Sequence, residues 1–251
     1  MSLFAHLGEL RKRLMSAVVA VILCGLGALA FVEELFEWFR VPLDGIPDQE
    51  MIVLTPLEMF ITHLKLAALV GIFISFPWLL YQFWLFITPA LYRHERKWIV
   101  PFILFGTAFF VGGALFAFYV VMPMGFEYLV ALVPDSVSAQ YSVAAYFSLV
   151  VRLLLAFGIV FELPLIMWFL TATGIVQVEA FIKFRKYWIV VAVVLAALFT
   201  PPDPFTQLLM AIPLTLFFEL GIFGSRVFGK RHNKKERKTH QKQQAPTGDN
   251  L

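Results

Sequence analysis

Long runs of apolar residues recur along this 251-residue chain, and they constrain its fold more than any other feature. A helix needs about 20 mostly apolar residues to cross the hydrocarbon core of a bilayer. The composition agrees, because 60% of the residues are hydrophobic and only 15% are charged, whereas a soluble domain is about half apolar and a quarter charged. The sequence therefore predicts an all-α integral membrane protein and excludes an ordinary soluble enzyme or a disordered chain.

Six segments are predicted to cross the membrane. The first four are long, although the fourth contains Arg152 and Glu162. The fifth is short and covers only about 20 Å as a helix, so the last two spans must be thinly inserted, tilted or supported by neighbours. A hairpin that does not span is the alternative for this pair. The predicted segments are Leu14–Val32, Leu66–Ile87, Trp98–Met122, Tyr146–Leu170, Tyr187–Phe199 and Phe205–Phe223.

The basic residues predict the orientation of the chain in the membrane. If the six spans alternate in direction, 17 of the 20 Lys and Arg residues fall on one side. The exceptions are Arg40, Lys65 and Arg152. Because short connectors rich in Lys and Arg stay in the cytoplasm, both termini are predicted to be cytoplasmic.

Several segments outside the predicted spans carry further signals, and residues 123–145 are predicted to form a second outer loop. Residues 2–13 carry leucines at helical spacing, which predicts an amphipathic helix on the cytoplasmic interface. Residues 33–65 mix acidic residues, aromatic residues and prolines, and they are predicted to form a cap of short amphipathic helices at the outer interface. The basic tail 229–251 has no apolar periodicity, which predicts disorder beside anionic headgroups rather than a nucleic-acid-binding module. Residues 1–228 then form the six-helix domain.

Two isolated glutamates stand among bases in the predicted cytoplasmic segments. Glu9 precedes three bases, and Glu95 lies between Arg93 and Arg96. A glutamate works against the retention of a basic segment in the cytoplasm. Its occurrence in two such segments suggests that these carboxylates bind a cation from a partner. A guanidinium suits them, since it can bond a carboxylate bidentately. A local ion pair, for Glu9 with Arg13, is the alternative.

Further polar residues occur within or beside the later spans. Glu162 lies near the middle of the fourth span, where an unpaired charge is costly, so it must face protein or water or be protonated. A functional role and a structural hydrogen bond are both open for it. Around the turn between the last two spans, Asp203 is predicted to cap the following helix, and Thr200 and Gln207 lie close to it in sequence.

Catalytic motifs are absent from the sequence. It contains no nucleotide-binding loop, nucleophile motif or metal-ligand spacing, and its single cysteine, Cys24, lies in an apolar run. We therefore predict a protein that is not an enzyme and that needs neither cofactor nor metal.

Taken together and in order, the polar stretches resemble the TatC family, the polytopic subunits of twin-arginine protein translocases. The resemblance extends from residue 3 to about residue 228. The matching stretches are His6-Leu7, Glu9-Leu10-Arg11, Pro42, Phe86, Pro89-Ala90-Leu91-Tyr92, His94-Glu95-Arg96, Phe161-Glu162-Leu163-Pro164, Thr200-Pro201-Pro202-Asp203, Gln207 and Ala211-Ile212-Pro213.

The resemblance implies a receptor for folded proteins whose signal peptides carry paired arginines. It implies that Glu9 and Glu95 bind the arginine pair, assisted by Phe86 and by residues of the matching stretches, namely Arg11, Pro89 and Leu91. It further implies that Glu162 faces a concave, glove-like surface. Pro42 belongs to the matching outer loop, Asp203 to the outer turn, and Thr200 and Gln207 to the side where single-span partners dock.

The same resemblance predicts the setting of this receptor. It implies a bacterial-type inner membrane, TatA and TatB type partners, self-association in the complex and export driven by the proton-motive force. The first alternative is a secondary transporter for a small cation or proton that uses Glu162, Arg152 and Asp203, but no convincing internal repeat relates the two halves of the chain. An intramembrane enzyme is the second alternative, and no motif predicts it.

Overall fold

The computed structural model describes residues 3–44, 50–87, 99–134, 136, 140–200 and 203–244. This part of the chain is predominantly helical, which confirms the predicted all-α class. A π-helical segment, Ala117–Val121, joins α4 to α5, and two three-residue strands, β1 (Glu50–Ile52) and β2 (Gln140–Ser142), pair in parallel. The helices are α1 Leu3–Leu29, α2 Val32–Asp44, α3 Glu58–Ile87, α4 Ile99–Phe116, α5 Met122–Ala131, α6 Val143–Phe161, α7 Leu163–Ala172, α8 Val178–Phe199 and α9 Pro204–Gln244.

Five helical stretches among the described residues are long and apolar enough to cross a membrane. Helix α8 is not one of them, because charged residues occupy its first half and leave a short apolar part from Tyr187 to Phe199. The fifth predicted span is therefore short, and it packs along α9, where the Trp188 ring stacks on Phe218 with centroids 4.7 Å apart. The five stretches are Leu7–Leu29, Glu58–Phe86, Ile99–Ala131, Val143–Ala172 and Pro204–Val227.

Two segments are more helical than the sequence predicted. The predicted outer loop after Met122 begins with α5, which continues to Ala131. Pro123 fits because it stands at the start of α5, where its missing N–H is tolerated, directly after the wider π turn. Helix α9 continues to Gln244 where disorder was predicted from residue 229, since Lys, Arg, Glu and Gln are good helix formers even without an apolar face.

Helix α1 lies against α3 with most of its own surface exposed. The two backbones meet at Gly25 and Gly71, where a Cβ placed on Gly71 would stand 2.7 Å from the backbone nitrogen of Gly25. Small residues allow such a close approach, and van der Waals packing of this kind holds helices together in lipid.

Helix α6 supplies the centre of the packed core. It contacts α3, α4, α8 and α9, and its Phe147, Val150 and Phe157 side chains are fully buried. Helix α4 crosses it closely at Gly113, where a Cβ would stand 2.5 Å from the Phe157 carbonyl oxygen. The core therefore lies around α6, whose stretch Val143–Ala172 is the most buried of the five, while the outer helices leave apolar side chains exposed.

The two ends of the bundle differ in structure. One end, here called the cap side, carries α2, β1, β2 and the α8–α9 turn beside Thr200. Helix α2 lies within the segment predicted to form the cap, and its Phe39 and Leu43 are buried in the core. The other end, here called the basic side, carries Arg11, Arg185 and Arg226, at the start of α1, in the first half of α8 and in α9. Helix α1 includes the segment predicted to be an amphipathic N-terminal helix and continues from it into the first span.

Candidate functional site

Glu9 lies on the basic side in a polar network that connects α1 to α3. Arg13 stands one helical turn after Glu9, and its Nη2 donates to Oε1 of Glu9 at 3.3 Å. The Nη1 of Arg13 donates across to Oε1 of Gln82 at 3.3 Å. The local ion pair that the sequence left as the alternative for Glu9 is therefore present.

Ser16 extends this network along the interface of α1 and α3. Its hydroxyl accepts from Nε2 of Gln82 at 3.0 Å and from Nε1 of Trp78 at 3.3 Å. Sequence reasoning missed Ser16, Trp78 and Gln82 as members of the site. The available signal was the spacing of Trp78, Gln82 and Phe86, which puts two polar side chains and an aromatic ring on one face of an apolar helix.

The electrostatics of this network leave Glu9 open to exchange of its partner. The Glu9 and Arg13 side chains are 26% and 28% exposed, and an i,i+4 pair of this kind contributes only about 0.3–0.5 kcal/mol. Gln82 holds the Arg13 guanidinium from its other side. An incoming guanidinium that bonds both oxygens of Glu9 can therefore displace Arg13, which keeps a hydrogen bond to Gln82.

The other residues predicted for this site divide into two groups. Phe86 is half-buried on α3, one turn after Gln82, and so lies at the same end of α3 as the network. Arg11 is exposed and stands two residues after Glu9, on a different face of α1. The second group, Pro89, Leu91 and Glu95, lies outside the described residues.

Glu162 separates α6 from α7 at a break in the helix. Pro164 occupies the first turn of α7, and the Glu162 carboxyl group is turned into the bundle, where the residue is 6% exposed. Its Oε2 lies close to Gly106 of α4, where a Cβ would approach it to 3.2 Å. Its Oε1 is buried and has no hydrogen-bond partner among the described residues. The carboxyl group is thus largely buried where α6 and α7 meet α4, and that it faces a concave surface stays a prediction.

The turn between α8 and α9 is ordered by its own side chains. Asp203 accepts from the backbone nitrogen of Thr206 through Oδ2 at 2.8 Å and from its hydroxyl through Oδ1, which confirms the predicted capping role. Nε2 of Gln207 donates to the Val193 carbonyl at 3.1 Å and so ties α9 to α8. The Thr200 hydroxyl donates to the Ala196 carbonyl at 2.8 Å.

Glu219 is paired across the same two helices on the basic side. Its carboxylate meets Nε and Nη2 of Arg185, each at 2.6 Å. Nη2 donates a hydrogen bond to Oε2, Nε makes a close ionic contact with Oε1, and the two side chains are 44% and 38% exposed. The pair joins the charged first half of α8 to α9.

A buried carboxylate holds the cap side together, and sequence reasoning missed it. Glu58 is 4% exposed. Its Oε2 accepts from the backbone nitrogens of Leu54 and Thr55, and its Oε1 accepts from the Ser142 hydroxyl and the Ala144 nitrogen. The local signal was the Thr55-x-x-Glu58 spacing of a helix capping box.

Pro42 also belongs to the cap. It lies inside α2, where it is buried beside Leu43. A proline in a helix weakens the hydrogen bonds of the preceding turn, and the Tyr146 hydroxyl donates to the Phe39 carbonyl in that turn at 2.8 Å. Pro42 therefore lies where α2 is joined to α6.

Among the described residues no three His, Cys, Asp or Glu side chains cluster as a metal site would require. The polar groups present are suited to hydrogen bonding and ion pairing.

The sequence is similar to that of known protein translocase proteins. The family model described as Sec-independent protein translocase protein (TatC) matches residues 5–213. The chain is 41% identical over 233 residues to the TatC protein of Desulforapulum autotrophicum, which covers 92% of this chain and 86% of the relative. It is 39% identical over 237 residues to that of Escherichia coli K12, with 93% and 92% covered. It is 41% identical over 226 residues to that of Aquifex aeolicus, with 89% and 94% covered.

Solved structures resemble the whole fold. A crystal structure described as the twin arginine translocase receptor TatC superimposes with a TM-score of 0.82 at 39% identity, covering 89% of this chain and 99% of the other. A second structure of the TatC receptor, in DDM, gives a TM-score of 0.81 at 40% identity, with 87% and 98% covered. The similarity therefore extends over most of the helices and both sides of the bundle.

Proposed function

The chain belongs to the TatC family of Sec-independent protein translocase proteins, and from this membership we propose that it is the receptor that binds paired arginines in signal peptides. A receptor of this kind performs no bond chemistry and is not an enzyme. The arginine pair is bound on the basic side by Glu9 and Glu95, with Phe86, Arg11, Pro89 and Leu91 around it. The basic side faces the cytoplasm of a bacterial-type inner membrane.

The observation that carries this proposal is the exchangeable partner of Glu9. The carboxylate is 26% exposed and, within the part of the chain that the structure describes, is held only by the weak pair with Arg13. A signal-peptide guanidinium that bonds it bidentately forms two charge-assisted hydrogen bonds in place of one 3.3 Å contact. Gln82 retains Arg13 after the exchange, so the displaced guanidinium keeps a hydrogen-bond partner.

The apolar part of the signal peptide then lies along the membrane-facing surface of the bundle. Engagement of cargo favours recruitment of TatA and TatB type single-span subunits beside the α8–α9 hairpin, where Gln207 and Thr200 are hydrogen-bonded to α8. The proton-motive force supplies the work. A unit charge moved through 100 mV corresponds to about 2.3 kcal/mol, so several charges or protons must move for each cargo.

Binding of a synthetic signal peptide to the purified full chain in mild detergent tests this proposal. We expect Glu9→Gln, and separately Glu95→Gln, to weaken binding about tenfold to a hundredfold, because each removes a charge-assisted bond of about 1.5–3 kcal/mol. A peptide with glutamines in place of both arginines should bind the wild-type chain and the Glu9→Gln chain equally weakly.

The matched control is Glu37→Gln. Glu37 also forms an ion pair within one helix, with Arg40 at 3.7 Å, but it lies in α2 on the cap side. This variant should bind the arginine peptide as the wild type does. If Glu9→Gln and Glu37→Gln bind alike, Glu9 does not receive the arginine pair and the proposal fails.

A further inference from the structure

A groove on the cap side contains a cation that the receptor function does not use. The groove has a volume of about 780 Å³ and runs between α5, β2, α6 and the end of α8. Arg152 of α6 lines it, is exposed, and has neither an ion pair nor a hydrogen bond among the described residues. We propose that this groove binds the phosphate group of a phospholipid from the leaflet on the cap side, with Arg152 as the principal ligand.

The position of Arg152 along α6 favours an anionic partner for its guanidinium group. It lies nine residues after Val143, about 14 Å along the helix from its start, within the helical stretch Val143–Ala172 that is apolar enough to span a membrane. A guanidinium exposed to hydrocarbon there is unfavourable unless it reaches water or an anionic group. The phosphate of a lipid is the anion that every leaflet supplies.

The short hairpin brings headgroups to the same depth. Thr200, at the end of α8, lines the groove together with Arg152. The α8–α9 turn is therefore level with a residue well inside α6, and the polar groups of Thr200 and Asp203 would lie in hydrocarbon beneath a bilayer of full thickness. A bilayer thinned beside this hairpin removes that cost, and its phosphates then stand beside Arg152.

The remaining walls of the groove suit a phospholipid. Tyr141 offers a hydroxyl without a hydrogen-bond partner among the described residues, and burial raises the pKa of this group, so it stays a donor. Lys65 brings a second positive charge to the rim, where its Nζ donates to the Ser148 hydroxyl at 2.8 Å. Leu149 and Phe199 supply apolar wall for the first part of an acyl chain.

Photolabelling with lipid probes tests the proposal on the full chain in vesicles of phosphatidylethanolamine and phosphatidylglycerol. A phosphatidylglycerol with a diazirine near the start of one acyl chain should label peptides that contain residues 141–152. We expect Arg152→Gln to reduce this labelling about tenfold, since a charge-assisted hydrogen bond is worth at least such a factor. Arg152→Lys should retain most of the labelling, and Tyr141→Phe should lower it severalfold.

Two controls make the result specific. Arg40→Gln removes a positive charge from α2, also on the cap side, and should leave labelling unchanged. A diazirine diacylglycerol, which lacks the phosphate, should label the groove weakly and to the same extent in the wild-type and Arg152→Gln chains. If Arg152→Gln fails to insert, the labelling of Tyr141→Phe is compared with that of Arg152→Lys and of the wild type.

Three outcomes would overturn the proposal. The first is equal labelling of Arg152→Gln and wild type by the phosphatidylglycerol probe. The second is labelling by diacylglycerol as strong as by phosphatidylglycerol. The third is a photoreactive residue at position 149 that, in native membranes, labels a single-span protein in place of lipid. None of these outcomes bears on the binding of signal peptides by Glu9, which lies on the opposite side.

Discussion

Replacement of Glu58 by glutamine should loosen the cap. The carboxylate accepts four hydrogen bonds, from Leu54 and Thr55 at 2.6 and 3.2 Å and from Ser142 and Ala144 at 2.7 and 2.6 Å. An amide has one oxygen, so its NH₂ group must face one of the two pairs of donors. The less costly orientation turns NH₂ toward Ser142, whose hydroxyl can reverse and accept.

The magnitude follows from what remains unpaired. In that orientation the Ala144 N–H loses its acceptor, which costs about 1–3 kcal/mol for a buried donor. The bonds that remain are no longer charge-assisted and are roughly half as strong. We therefore expect Glu58→Gln to lower the free energy of opening of the cap by about 3 kcal/mol, which corresponds to roughly a hundredfold in the opening equilibrium.

Amide hydrogen exchange of the full chain in a bilayer measures this effect. Exchange at residues 54, 55 and 144 should accelerate about a hundredfold in Glu58→Gln, while α4 and α9 exchange as in the wild type. Glu33→Gln is the control, because Glu33 lies exposed in α2 on the same side. Equal exchange in Glu58→Gln and Glu33→Gln would refute the view that this carboxylate fastens the cap.

Three further predictions concern the contact of α1 with α3, the capping of α9 and the pair of Glu9 with Arg13. Gly71→Val should lower the free energy of unfolding by about 1–3 kcal/mol or more, because the added side chain forces α1 away from α3. Gly27→Val has open space at its Cβ position and should lower this free energy far less, which thermal unfolding of both variants measures. Asp203→Ala should destabilise the α8–α9 turn by about 1 kcal/mol and Asp203→Asn by much less, as measured by exchange of the first amides of α9; equal effects would argue against capping. Arg13→Gln should raise affinity for an arginine-bearing peptide about twofold in a binding titration, since it removes a competitor for Glu9; a severalfold loss would contradict this.

The membrane fold could be predicted from local patterns in the sequence. Apolar runs indicated α1, α3, α4, α6 and α9, and the short apolar run Tyr187–Phe199 indicated that the span in α8 is short. The boundaries were less predictable. The π turn before Pro123 lets the helix continue where a proline usually ends one, and no residue pattern distinguishes such a turn beforehand.

Contacts between distant segments were the part that sequence could not supply. Glu58 and Ser142 are 84 residues apart, and Arg13 and Gln82 are 69 apart, so neither partner appears in the other's local pattern. Asp203, whose partner is three residues away, was predicted correctly. The isolated acid Glu9 was recognised as a candidate, but its cross-helix neighbours became apparent only when α1 and α3 were packed through Gly25 and Gly71.

The most direct test of the receptor proposal is to map where the arginine pair of a signal peptide contacts the full chain. A photoreactive residue placed beside the arginine pair should crosslink to residues 7–16 of α1 and 82–87 of α3, around the Glu9 network. Glutamines in place of the arginines should abolish these crosslinks. Crosslinks to β1, β2 or the first turn of α6, on the cap side, would contradict the proposal.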